Sequence, residues 1–126
     1  MKTTSVKLAG GTAAVSTGIE DGLKNALGAT NVKRNAGVDR YETAATINKD
    51  AFAKSNVAYL ATGSGFADAL AGAALAAADD APLFITAPNC FPAVTVAGLE
   101  RLAATVVTLL GGPAVLGGGV EELAGC

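Results

Sequence analysis

Few residues of this chain could do chemistry, and the absences narrow the choice. There is no histidine among the 126 residues, which removes Ser-His-Asp and Cys-His catalysis, imidazole general bases and histidine-ligated zinc together. Ser64 lies in Thr62-Gly63-Ser64-Gly65. A nucleophile elbow needs glycine where Thr62 stands, and no histidine exists to activate the hydroxyl. The same turn has neither a GxGxxG pattern nor a Walker lysine. The two cysteines, Cys90 and Cys126, show no metal-ligand spacing. What remains is charge. Lys33, Arg34 and Arg40 form a local basic edge suited to phosphate or carboxylate groups, the arginines by bidentate contact. No catalytic residue, metal or cofactor is expected.

Arg40 stands out among these cations. Asp39 and Glu42 have the spacing of a capping box, with Asp in the Ser/Thr role. That puts Arg40 at a helix start, where the macrodipole disfavours a cation. Either a carboxylate partner, with Asp68 one candidate acceptor, or an anionic ligand must compensate; the partner reading weighs more. Asp39 and Asp68 are then supports that orient the arginines. Ser64 sits between a strand's C-terminal end and a helix N-terminus, the usual ligand position of open α/β sheets, though a plain tight turn would look the same.

The elements that position these residues follow from apolar patterning. Val57–Ala61 is a short apolar run, Phe66–Ala78 an alanine-rich helix stopped by Asp79-Asp80, and Pro82–Ile85 a second apolar run. Two strands apolar on both faces and joined by a crossover helix require a buried parallel sheet. Before this unit the chain reads as a strand at Ser5–Ala9, a helix from Ser16 or Thr17 to Leu27, a more polar strand at Asn31–Ala36 in an edge or partly exposed position, and a helix from Asp39 to Lys54 with Ala44, Ile47, Ala51 and Phe52 apolar. After it come a helix from Pro92 to about Ala104, buried through Val96, Leu99, Leu102 and Ala103, a strand at Val106–Leu110, and a short helix near Gly119–Leu123. Strands alternating with helices predict one domain, residues 1–126, of three-layer α/β type. Its sheet is mostly parallel with helices on both faces, flavodoxin-like or Toprim-like.

Composition agrees. Mean hydropathy is +0.43, carried by Ala, Val and Leu, and a net charge of −2 offers no global field for nucleic acid. Leu102–Val120 is uncharged, but Gly111-Gly112-Pro113 and Gly117-Gly118-Gly119 divide it into strand and turn, so no membrane span is expected. MKTTSVKL lacks the apolar run of a signal peptide. One internal repeat is present: Val6–Ala13 aligns without gaps on Val107–Ala114, and Gly18-Ile19-Glu20 on Gly119-Val120-Glu121. Such a pattern suggests a segment of a tandem array, or a unit built to meet its own kind.

Four segments also resemble a known family. Ala36–Ala44 (AGVDRYETA), Ala61–Leu70 (ATGSGFADAL), Ala81–Thr86 (APLFIT) and both GG turns are similar, in order and spacing, to the motifs of the cell-wall-binding repeat 2 family. The resemblance implies a secreted, non-catalytic anchor of Gram-positive surfaces, including surface-layer proteins. Its repeats usually come in threes, packed about a pseudo-threefold axis, and hold their proteins non-covalently on anionic secondary wall polymers. If one complete repeat works alone, the resemblance implies that this chain assembles with itself, most simply as a homotrimer; the alternative is that it is a fragment. The polymer would then be met by Lys33, Arg34, Arg40 and Ser64. In a secreted protein Cys90 and Cys126 are expected to form a disulfide. Two other readings stay open: a flavodoxin-like domain binding a phosphorylated small molecule at Gly63–Gly65, against which stands the lack of aromatic residues to sandwich a flavin, and a purely structural oligomerisation unit of a surface layer.

Overall fold

The computed structural model describes residues 2–126. In chain order it contains β1 (Val6–Ala9), α1 (Thr17–Leu27), a 3₁₀ turn (Ala29–Asn31), β2 (Val32–Asn35), α2 (Arg40–Ala51), β3 (Val57–Thr62), α3 (Ala67–Ala78), β4 (Leu83–Thr86), α4 (Ala93–Leu102), β5 (Val106–Leu110) and α5 (Gly118–Glu121). Every strand pairing is parallel, as the apolar runs and crossover helices require. The α/β class read from the sequence is the observed one.

The strands form two ladders rather than one sheet: β4-β3-β5, with β3 central, and a separate β1-β2 pair. One edge of the larger ladder, the free side of β4, is closed by side chains. The Tyr59 and Gly63 N–H groups bond to the carbonyls of Pro82 and Thr86, so the alternate carbonyls, Leu83 and Ile85, turn outward. Asn48 Nδ2 of α2 donates to Leu83 at 2.9 Å and Thr95 Oγ1 of α4 to Ile85 at 3.1 Å. These two buried polar side chains occupy the groups another strand would use.

Residues of β3 serve two cores by alternation. Ala58 and Leu60 join Phe84, Phe91, Leu102, Leu116 and Val120 on one side, with α2 and α4 packed over them. Tyr59 joins Ala76 and Ala81 on the other, under α3. The alanine-rich α3 lies close because Gly72 meets the side chain of Leu110 where any other residue would put a Cβ. Likewise Gly98 in α4 leaves room for the Phe84 ring.

Some boundaries differ from expectation. α2 stops at Ala51, before Lys54, because Phe52 turns extended (φ −122°, ψ 121°) and packs against the larger core. Arg101 of α4 then donates to the Phe52 carbonyl at 3.0 Å, a cation where a helix C-terminus favours one. The expected stripe on α2 is only half-buried and Ala51 is exposed; Asn48 is the buried position. In α4 Leu102 and Thr95 are buried, whereas Ala103 is an exposed left-handed cap. No helix is long and apolar enough to cross a membrane among the described residues.

Candidate functional site

The loops after β3, β4 and β5 converge where the motif residues gather. The start of α2 is built as the capping box predicts. Asp39 Oδ1 accepts from the Glu42 N–H at 2.8 Å, and Glu42 Oε2 accepts from the Val38 N–H at 2.7 Å. Thr43 Oγ1 accepts from the Gly37 N–H and donates to the Asp39 carbonyl. Gly37 is obligatory here, since a Cβ would lie 2.7 Å from the Glu42 carbonyl carbon. Such a cap contributes about 1 kcal/mol.

This rigid start aims Arg40 and Tyr41 at the turn after β3. Arg40 Nη1 donates to the Gly63 carbonyl. A Cβ on Gly63 would stand 2.8 Å from Tyr41 Cε1 and 3.3 Å from Arg40 Cδ, so the Arg-Tyr pair closes over a position that only glycine fits. The turn is tightened by Thr62 Oγ1, which accepts from the Ser64 N–H at 3.2 Å. Beside it a groove of about 360 Å³ is lined by Arg40, Ser64, Phe66 and Ile85 among others. Phe66 is 81% exposed. A second hollow across the turn, about 290 Å³, is lined by Ser64, Asp68, Pro88 and Val115 among others.

The sequence-selected residues divide here. Arg40 and Ser64 share the groove and are exposed. Arg40 has no carboxylate in ion-pair range among the described residues, so the expected pairing with Asp68 is not formed. Asp68 instead stands by the Gly111 turn, where a Cβ on that glycine would come within 3.0 Å of Asp68 Oδ2. Nor does Asp39 orient an arginine; its carboxylate is spent on the cap.

Lys33 and Arg34 do not present one joint edge, because adjacent residues of a strand point to opposite faces. Lys33 pairs with Asp50 of α2, which also takes Lys7 at 2.8 Å. The bonds from Lys33, then Lys7, then Asn35 hold the Asp50 carboxyl well below the usual range. Arg34 Nε bonds to Glu20 Oε2 at 2.8 Å and its Nη1 to the Gly10 carbonyl at 2.7 Å. Lys24 first, then Arg34, lowers the Glu20 carboxyl in turn. Arg34 Nη2 is buried without a partner among the described residues. Sequence reasoning missed Asp50 and Glu20, whose roles depend on the β1-β2 register that sets Lys7 beside Lys33.

Cys90 and Cys126 form a disulfide with Cα atoms 5.0 Å apart. It ties the chain beyond α5 to the loop before α4, beside reciprocal backbone bonds between Phe91 and the tail (Phe91 N–H to Ala124, Cys126 N–H to Phe91).

The family model described as "Cell wall binding domain 2 (CWB2)" matches residues 34–121, the span that carries the capped Arg-Tyr motif, the glycine turn and the second GG turn. The chain belongs to the cell wall binding domain 2 family. It is 35% identical over 94 residues to the N-acetylmuramoyl-L-alanine amidase LytC of Bacillus subtilis (strain 168), covering 74% of this chain and 19% of that protein. Among solved structures, Cwp8 from Clostridium difficile superposes with a TM-score of 0.79 at 31% identity, over 95% of this chain and 20% of that one. Cwp6 from the same organism shows the same fold, with a TM-score of 0.69 at 24% identity, over 91% of this chain and 19% of its own. The chain thus spans about a fifth of the length of these relatives. It is a cell-wall-binding module of α/β fold, and the amidase activity named for LytC is that protein's.

Proposed function

We propose that this CWB2 module is a non-catalytic anchor that holds an anionic secondary wall polymer in the groove between Arg40 and Phe66. The observation that carries the reading is Arg40, an exposed guanidinium fixed by one bond to Gly63 and left without a carboxylate among the described residues. A guanidinium held by one nitrogen keeps its other N–H groups for phosphate or carboxylate oxygens. Ser64 supplies a neighbouring hydroxyl. The exposed ring of Phe66 offers an apolar face for a sugar. Lys33 and Arg34 contribute less than Arg40 in this reading, since Asp50 and Glu20 already engage them.

Each such site binds weakly, and useful strength comes from several sites presented together. A homotrimer, secreted to the wall or surface layer, would present three copies of the groove. Phe66 of the groove and Leu70, one helical turn further on, are 81% and 71% exposed, an apolar pair that a neighbouring copy would cover in part.

The test is co-sedimentation of the folded protein with Gram-positive sacculi, before and after chemical removal of the anionic polymer. Binding should vanish with the polymer and fall sharply in Arg40→Ala. Equal binding to stripped walls would sink the polymer reading. A clear thermal shift with flavins or nucleotides would favour a small-molecule site at Gly63–Gly65 instead.

A further inference from the structure

Two segments of this chain are similar in sequence and in backbone turn, yet they rest on different things. Val6–Ala13 repeats as Val107–Ala114. The first glycine of each GG turn has positive φ, +113° at Gly10 and +127° at Gly111. The bonds repeat as well: the Ala14 and Val15 N–H groups reach Gly11, and those of Val115 and Leu116 reach Gly112. A helix then starts from Ser16 in one case and Gly117 in the other.

Backbone alternation shows what the copies share. The Val106 N–H bonds to Asn56 on the β3 side, so Val107, Leu109 and Gly111 turn their backbone groups to the opposite edge of β5. Among the described residues no strand is paired there. In β1 the Gly10 N–H bonds to Asn35, so Val6, Leu8 and Gly10 are the residues that face β2. These are the aligned positions. The open edge of β5 is therefore the edge by which its copy, β1, holds β2.

Burial points the same way. Val120 is fully buried and Leu116 is 2% exposed, whereas Ile19, the counterpart of Val120, is 53% exposed. No residue of α1 is buried. β1 and α1 thus carry the pattern of a core that this chain does not place behind them. The charge pattern completes the match. Arg34 of β2 grips the Gly10 carbonyl and Glu20. The aligned groups, the Gly111 carbonyl and Glu121, stand at the open edge, and Glu121 is exposed with no ion pair among the described residues.

We propose that the outer edge of β5, with Glu121, is a docking surface for the β2 strand of a second copy of this unit. The register is that of β1 on β2: Val107 beside Val32, Thr108 beside Lys33, Leu109 beside Arg34 and Leu110 beside Asn35, with Arg34 closing on Glu121. Within one copy β1-α1 fills that place. Contact between copies is then an exchange in which β1-α1 lifts away and the neighbour's β5-α5 replaces it. The asymmetry of tethering favours this direction, because the disulfide fixes the end of β5-α5, whereas α1 buries no residue. The contact is head to tail, so it closes into a ring or extends, according to its rotation. It gives the self-assembly proposed above a specific interface, rests on that assembly, and is independent of polymer binding.

The test uses the full chain. Glu20→Lys removes the carboxylate that holds β1-α1 on Arg34, leaving the neighbour's Glu121 as the better partner. Light scattering across a dilution series should show a shift to higher mass relative to wild type. Hydrogen exchange at the Val107, Leu109 and Gly111 amides should slow as concentration rises. Glu20→Lys with Glu121→Lys should return the mass to that of the wild type. If Glu20→Lys does not fold, Glu20→Ala carries the same expectations without adding a cation. Three outcomes overturn the proposal: unchanged mass and exchange in the single variant, equal assembly in the double variant, or assembly with the three amides unprotected. The last leaves self-assembly standing and excludes this interface.

Discussion

The disulfide offers the sharpest energetic test of the fold. Cys90 and Cys126 are 36 positions apart. The loop they close removes denatured-state entropy worth about 4 kcal/mol at 25 °C in the chain-entropy model. Domains are stable by about 5–15 kcal/mol, so reduction should cost a large fraction of the total. With unfolding entropy of about 2.1 cal/mol/K per residue, the same loss lowers the melting temperature by roughly 15 °C. Part of the effect is local. The bond anchors the tail whose Ala124 and Cys126 backbone groups pair with Phe91, a ring 1% exposed in the larger core. The measurement is urea unfolding of the oxidised protein, the reduced protein and Cys90→Ser/Cys126→Ser. Both reduced forms should share a lower midpoint with little change in slope. Exchange should rise at the Phe91 and Cys126 amides before global unfolding. A loss under about 1 kcal/mol would refute the reasoning, because it would mean that the cross-link barely restricts the denatured chain.

Arg40→Lys should lose wall binding almost as fully as Arg40→Ala, since one ammonium replaces a fork that serves Gly63 and a ligand together; charged hydrogen bonds of about 1.5–3 kcal/mol predict a drop of roughly 10- to 150-fold per site, and wild-type binding of the lysine variant in the sacculus assay would contradict it. Gly72→Ala drives a Cβ into the Leu110 side chain and should destabilise by about 1–3 kcal/mol, read from the urea midpoint, with an unchanged midpoint counting against close helix–sheet packing. Acid should loosen the β1-β2 pair. The Asp50 and Glu20 carboxyls are lowered in the folded state, so their contribution is present above the ordinary carboxylate range, near pH 4, and is lost as pH falls through their lower folded values. Asp50→Asn should flatten that acid limb of stability against pH, and an unaltered slope would remove Asp50 from the account.

What the sequence disclosed was mostly local. The capping box of Asp39 and Glu42, the glycines of the turns and the parallel nature of the apolar strands each depend on a few neighbouring residues, and each is present as read. The partners of the basic residues were not legible. Lys33 meets Asp50 and Arg34 meets Glu20 only because β1 and β2 lie side by side in one register, and no spacing along the chain encodes that. Asp68 offered a carboxylate at a plausible distance in sequence, but the crossing of α3 carries it to the Gly111 turn. The closed edge of β4 was hidden for a similar reason. Asn48 and Thr95 look like ordinary helix residues until α2 and α4 bring them to the carbonyls of β4.

The same two side chains bear on why the other edge of the sheet is open. An unpaired strand edge invites pairing with another chain, and proteins that must stay apart blunt it with charge, proline, bulges or covering elements. Here one edge is blunted: α2 and α4 close β4 with Asn48 and Thr95. The other is not. β5 is uniformly Val-Val-Thr-Leu-Leu, with Val106 51% exposed and neither a lysine nor a proline within the strand. Fold stability does not require that difference, since β5 already packs Val107 and Leu109 against the core. It is the difference expected if β4 is a boundary and β5 a junction. A lysine at Thr108 separates the two accounts. Its counterpart Lys7 is already tolerated beside Lys33 in β1, so Thr108→Lys should leave folding intact. Two cations facing each other with no carboxylate like Asp50 supplied by the β5 side should weaken any assembly that uses this edge. Assembly of the Glu20→Lys protein undiminished by Thr108→Lys, in the same light-scattering series, would show that the edge is open for some other reason.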